Sequence, residues 1–190
     1  MLQALITCDQ FLASRFELPE AGQWAELDQG VTVLEDPPDI DHGNAVLNLS
    51  KAFGEYVQTM LRGYPCFDLG LLTTRRPDTV RFPAVSYFLA GERFLEADKA
   101  ATDTVPSLIV EMASTKRRRA EMPSRVNEYL AWGVAAVWVV DPRLKIVSIY
   151  EPAHEPRVLT TAESIDNCPP LAGFQMAVSD LFVEPKWWTR

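Results

Sequence analysis

Carboxylates are the residues of this chain with the clearest capacity for chemistry, and three stand where a fold could use them. Glu111 closes the apolar run Pro106-Ser107-Leu108-Ile109-Val110, Glu26 lies within QWAELDQGVTVLE, and Asp78 precedes Thr79-Val80. An ionised carboxylate ending a buried strand is costly unless something compensates it, which marks Glu111 as a site candidate. The other open reading is that Glu111 marks where a strand reaches solvent. Acids from neighbouring strands can hold Mg²⁺, which takes oxygen ligands and keeps several waters. Such an ion activates water and stabilises phosphate charge during hydrolysis. The chain carries 26 acids, so three of them in useful places are a weak signal alone.

Other chemistries find less support. There is no glycine-rich phosphate loop, no CxxC pair and no HExxH. His42 and His154 are the only histidines and stand far apart, as structural or solvated residues would. No Ser, Cys or Thr has a recognisable positioned base. Cys8, Cys66 and Cys168 are odd in number and widely spaced, which suits buried thiols better than a disulfide frame or zinc site. Lys116, Arg117, Arg118 and Arg119 form the one dense basic run; it reads as a phosphate-binding turn or as a solvated one.

The elements that would position these residues can be read from pattern. At 190 residues, with no linker or repeat, the chain is expected to be one domain over 1–190. Thr7-Cys8-Asp9-Gln10 has the form of a capping box. Residues 23–35 alternate around Asp28-Gln29-Gly30, a hairpin signal. Apolar positions from Val46 to Leu61 recur at helical spacing, predicting one long helix from Asp41. Residues 67–72 and 79–88 read as strands, and 90–104 as a long loop. Pro123 suits the first turn of a helix, so the next helix is expected from near Met122 to Trp132, with the basic run as a turn before it. Ala136 to Val140 is a strand buried on both faces, followed by one from Lys145 to Tyr150 and a short pair near 157–160 and 173–178. This is an α/β domain with a mixed sheet.

The net charge of −8 argues against a general nucleic-acid coat but leaves a nuclease with a local basic patch open. No run of about 18 apolar residues occurs, and the N-terminus lacks the basic region of a signal peptide. A cytoplasmic protein with no membrane partner is therefore expected.

Several stretches resemble one known family. They are Trp24-Ala25-Glu26-Leu27-Asp28-Gln29-Gly30, Asp41-His42-Gly43, Arg76-Pro77-Asp78-Thr79-Val80-Arg81-Phe82-Pro83 and Ile109-Val110-Glu111-Met112-Ala113-Ser114. The strongest runs from Glu128-Tyr129-Leu130-Ala131-Trp132-Gly133-Val134 to Val137-Trp138-Val139-Val140-Asp141-Pro142, and Leu171-Ala172-Gly173-Phe174 with Asp180-Leu181-Phe182 completes the match. Together they resemble the Uma-two family of bacterial proteins of restriction-endonuclease type, and the likeness covers nearly the whole chain.

That resemblance implies a PD-(D/E)xK nuclease fold: a restriction-endonuclease-like mixed sheet flanked by helices, with an N-terminal hairpin and a long helix. It also implies DNA as partner, Mg²⁺ or Mn²⁺ as cofactor, Glu26 and Glu111 as metal ligands, and a homodimer. The family's catalytic Asp position is Ala84 here. Asp78 is six residues earlier, about 20 Å along a straight strand, and cannot substitute without a sharp bend at Pro83. The motif lysine, carried in this family on the following helix, corresponds to Arg125, which holds phosphate but cannot serve as a general base. Catalytic positions would thus be Glu111, Arg125 and the altered Ala84, with phosphate contacts from Lys116 to Arg119. The expectation is a metal-dependent DNA endonuclease whose site is eroded and weak or inactive. The alternative is a non-catalytic nucleic-acid-binding or protein-interaction module, and a third reading is a dimer formed through Trp187-Trp188.

Overall fold

The computed structural model of the protein describes residues 4–89 and 95–186. Thr7 caps α1 (Cys8–Ser14) by accepting from the Gln10 N–H while the Gln10 side chain accepts from the Thr7 N–H. The hairpin follows as β1 (Ala25–Asp28) and β2 (Val31–Leu34). Gln29 and Gly30 both take positive φ, the conformation a two-residue turn needs to match strand twist. The long helix α2 (Ile40–Met60) starts at Asp39, whose carboxylate accepts from the His42 N–H, and ends at a left-handed Leu61.

The next elements are β3 (Tyr64–Cys66), β4 (Gly70–Thr74), β5 (Thr79–Arg81), β6 (Val85–Phe88), β7 (Ala101–Thr102) and β8 (Leu108–Met112). Then come α3 (Lys116–Trp132), β9 (Ala136–Asp141), β10 (Ile146–Tyr150), β11 (Arg157–Leu159), β12 (Ser164–Ile165), β13 (Met176–Ala177) and α4 (Val178–Leu181). Among the described residues the strands form a sheet of order β2-β1-β5-β4-β7, a larger one of order β11-β10-β9-β8-β6-β3, and a small β12-β13 pair. The architecture is mixed α/β, as expected. In the larger sheet β8 and β9 run parallel, joined by α3, and the remaining pairs are antiparallel.

Three expectations are corrected. Residues 79–88 are not one strand: β5 belongs to the first sheet and β6 to the second. Pro83 has no N–H to offer a ladder, and the Phe82 N–H goes to a Glu26 carboxylate oxygen at 3.2 Å, so pairing stops and the chain changes sheets. The predicted strand 67–72 starts late: β3 ends at Cys66, the chain bends at Phe67-Asp68, where Asp68 has a positive φ, and β4 begins only at Gly70. Finally, α3 begins at Lys116, not near Met122. The Thr115 hydroxyl caps it by accepting from the Arg118 N–H at 3.1 Å, and Pro123 sits inside the helix. The basic run is therefore the first turn of α3. Residues 90–94 of the expected loop and the Trp187-Trp188 pair lie outside the described residues.

Both faces of the larger sheet are covered. Leu108, Val110, Met112, Trp138 and Val140 pack with α2, whereas Ile109, Ala113, Val137 and Val139 pack with α3. By strand alternation Glu111 lies on the α3 side. Cys8, Cys66 and Cys168 are free, buried thiols, as their spacing suggested.

Candidate functional site

Glu26 comes from β1, Glu111 from β8 and Arg125 from α3, and the fold brings all three together. Each is only 2% exposed. Arg125 lies between the two acids. Its Nη1 donates to Glu26 Oε2 at 2.6 Å and its Nη2 to Glu26 Oε1 at 2.9 Å. Toward Glu111, Nε and Nη2 donate to Oε1 at 2.9 and 2.6 Å. Tyr129, one helical turn further along α3, donates its hydroxyl to the same Glu111 oxygen at 2.6 Å. Arginine's planar fork suits this double engagement in a way a lysine's point charge would not.

A second layer of cations closes on Glu26. Arg118 Nη1 donates to Oε1 at 3.1 Å, and Arg81 Nη1 stands 3.5 Å from Oε2. Arg81 also reaches Glu128 at 2.9 Å and Asp28 at 2.8 Å. Burial alone would raise the Glu26 pKa. Arg125, Arg118 and Arg81 outweigh it and hold the carboxyl well below the ordinary range. Burial likewise opposes the charge on Arg125, yet Glu111 and Glu26 keep it firmly protonated. Burial, with the neighbouring Glu111 and Glu26 charges, pushes the Tyr129 hydroxyl up, so it remains a donor.

A cleft of about 220 Å³ opens beside this cluster, with Trp24, His42, Phe67, Ala84, Glu111 and Arg118 in its walls. Ala84 thus reaches the site, because the break at Pro83 turns the chain there. Asp78 does not. Its carbonyl accepts from the Gly30 N–H at the hairpin tip, and its carboxylate accepts from the Cys8 and Arg76 N–H groups at 2.8 and 3.2 Å. Although the straight-strand premise fails, Asp78 is a structural residue of that turn.

The basic run does not form one phosphate patch. Arg117 pairs with Glu121 at 2.9 Å and donates to the Leu34 carbonyl, and Arg119 pairs with Asp141 at 2.8 Å. Lys116 is exposed and Arg118 alone of the four lines the cleft.

Tyr129, Arg81 and His42 belong to the site environment although their sequence positions gave no such role. His42 Nδ1 lies 2.7 Å from Ser114 Oγ, and its ring meets Trp24 edge-on with centroids 5.9 Å apart. Burial and the nearby Arg118 charge lower its pKa, so it is a neutral imidazole at pH 7. The available signal was the Asp41-His42-Gly43 opening of α2; its meeting with Ser114 is a long-range contact.

The residues present do not fit a catalytic Mg²⁺. The ion needs several oxygen ligands in near-octahedral array. Both Glu26 oxygens are already taken by arginines, Ala84 supplies no ligand, and only Glu111 Oε2 carries no hydrogen bond among the described residues. No group of three or more His, Cys, Asp or Glu suited to a metal gathers among those residues.

Comparison with known proteins bears on the whole chain. A crystal structure of a putative nuclease belonging to DUF820 from Anabaena variabilis ATCC 29413 matches with a TM-score of 0.74. The match covers 93% of this chain and 97% of that one at 19% identity, a likeness of fold. No curated protein matches. The model of the Uma2 family, described as "Putative restriction endonuclease", matches residues 9–179. The chain therefore belongs to the Uma2 family and carries its nuclease-like fold.

Proposed function

We propose that this protein is a nuclease-fold member whose hydrolytic site is eroded, leaving a module that recognises nucleic-acid components and cleaves weakly or not at all. The single observation that supports this reading is Arg125, whose guanidinium pairs with both surviving acids. Its charge compensates Glu26 and Glu111 from within the fold, the electrostatic task a divalent cation would otherwise perform. With Arg118 added, two buried acids face two arginines, so an incoming dication would enter a site already neutralised. Hydrolysis also wants a group able to take a proton from water. At the position of the motif lysine, an arginine held charged cannot do so.

The test uses supercoiled and single-stranded DNA with Mg²⁺ or Mn²⁺, beside a Glu111→Ala control. The expected result is equal background in both, with no metal-dependent rise in melting temperature. Metal-dependent nicking that disappears in Glu111→Ala would overturn the proposal. The Ala84→Asp, Arg125→Lys double variant should gain a Mg²⁺-dependent melting shift, since it restores an acid and frees the carboxylates from the guanidinium fork.

A further inference from the structure

We propose that the cleft beside Glu111 is a binding pocket for the hydrogen-bonding edge of one unpaired nucleobase. The inference deepens the proposed function and rests on it for the choice of a nucleobase among planar heterocycles.

Two polar groups in the cleft wall have unused capacity. Glu111 is 2% exposed, and Arg125 and Tyr129 both bind its Oε1. Oε2 has no hydrogen bond among the described residues. Arg125 is absent from the cleft wall and belongs to the cavity on its other side, so the oxygen facing the cleft is the unoccupied one. Oε2 is therefore an acceptor open to the cleft and without a protein donor among the described residues, and a ligand N–H entering the cleft can use it. Arg118 is the complement. Its side chain is 14% exposed and donates from Nη1 to Glu26, while Nε and Nη2 carry no hydrogen bond among the described residues. One acceptor and one charged donor thus line the same cleft. The edge of a nucleobase presents the matching pair, a ring or amino N–H beside a carbonyl oxygen or ring nitrogen.

The remaining walls favour a flat ring. Trp24 and Phe67 line the cleft, and aromatic side chains stack on bases irrespective of sequence; Phe82 also lines it, with the Arg15 guanidinium over its ring at 3.7 Å. The volume of about 220 Å³ is below that of drug-sized pockets and suits one heterocycle rather than a base pair. Charge argues the same way. Arg117, Arg118 and Arg119 are each paired with the protein's own acids, and the net charge is −8, so the long basic track that holds a duplex through its phosphates is missing from the described surface. The ligand is recognised through its base.

The probes are uridine, its analogue methylated at the ring N–H, inorganic phosphate, and a short oligothymidine single-stranded or in duplex. Binding is measured by calorimetry in EDTA, which separates it from any cleavage. Uridine should bind at least about tenfold more tightly than the methylated analogue, because one hydrogen bond to a buried charge is lost. Phosphate should not compete, and the duplex should bind far more weakly than the single strand. If the strand binds and the nucleoside competes with it, the base comes from a nucleic acid; if the nucleoside alone binds, a free nucleoside is the ligand. Ala84→Leu fills the cleft without touching the charged cluster and should abolish binding. Equal binding of both uridines, no binding at millimolar concentration, competition by phosphate, or unchanged binding in a folded Ala84→Leu protein would overturn the proposal. Should Ala84→Leu fail to fold, the methyl discrimination in the unmodified protein still decides.

Discussion

Apolar side chains pack both faces of the larger sheet, but only the α3 face also buries an ion cluster. Against α2 the sheet presents an aromatic cluster in which Phe53 stacks on Trp138 at 6.0 Å between centroids and meets Phe174 at 5.3 Å and Tyr87 at 5.6 Å. Against α3 the equivalent depth holds the Glu26–Arg125–Glu111 cluster. Apolar packing is indifferent to pH and to which partner carries the charge, whereas a buried ion cluster depends on every member remaining. The α2 face is thus a scaffold, and the α3 face is a place where one side chain decides the state of the others.

The largest effect follows from removing that side chain. Arg125→Met should destabilise the protein by about 3–5 kcal/mol, because two carboxylates stay buried without their main counter-charge. Phe53→Ala should cost a similar amount, about 3–5 kcal/mol, by leaving a cavity. The two losses separate by rescue. Adding Glu26→Gln and Glu111→Gln to Arg125→Met should recover much of the melting temperature in thermal denaturation, and adding them to Phe53→Ala should recover none. Absence of rescue would mean that Arg125 contributes by packing rather than by charge.

Acid gives a smaller effect with a definite sign. The folded-state pKa of Glu26 is depressed, so its contribution is present above the unfolded value of about 4.3 and is lost as pH falls below it toward the folded value. Without Arg125 the Glu26 carboxyl is buried without its main counter-charge, and protonation relieves the cost. Urea melts between pH 6 and pH 3 should therefore show the Arg125→Met penalty shrinking on acidification, while the Phe53→Ala penalty stays flat (pH values of about 6 and 3 bracket the carboxylate range). A constant Arg125→Met penalty would break the contrast between the faces.

Much of the scaffold was legible in sequence, and the site was only partly so. The hairpin and α2 declare themselves through local signals: Gly30 in the Asp28-Gln29-Gly30 turn, and the helical recurrence of Val46, Leu49, Phe53 and Val57. The break at Pro83 did not, since Thr79 to Phe88 keeps strand-like residues on both sides and the sheet change depends on Phe82 meeting Glu26. The start of α3 is hidden in the sequence because Pro123 suits a first turn, while the Thr115 cap is followed by Arg118 where a capping box would have Glu or Gln. Ala84 and Arg125 stood out only through the family likeness. That Arg125 engages both acids at once is a matter of distances between β1, β8 and α3, which no local pattern contains.

Salt sharpens the comparison last, through an effect expected to be near zero. Exposed pairs such as Arg75–Asp103, with side chains 61% and 64% exposed, lie in solvent where ions screen them. The arginine and both glutamates of the α3 cluster have side chains only 3% exposed, so mobile ions cannot come between them. At about 1 M salt the Debye length falls to ~3 Å, yet the Arg125→Met penalty should match its value at about 0.1 M. Differential melting of the unmodified protein and the variant at both concentrations measures this directly. A penalty that falls with salt would place solvent inside the cluster. The guanidinium would then be a loose surface cation, which a metal ion could displace.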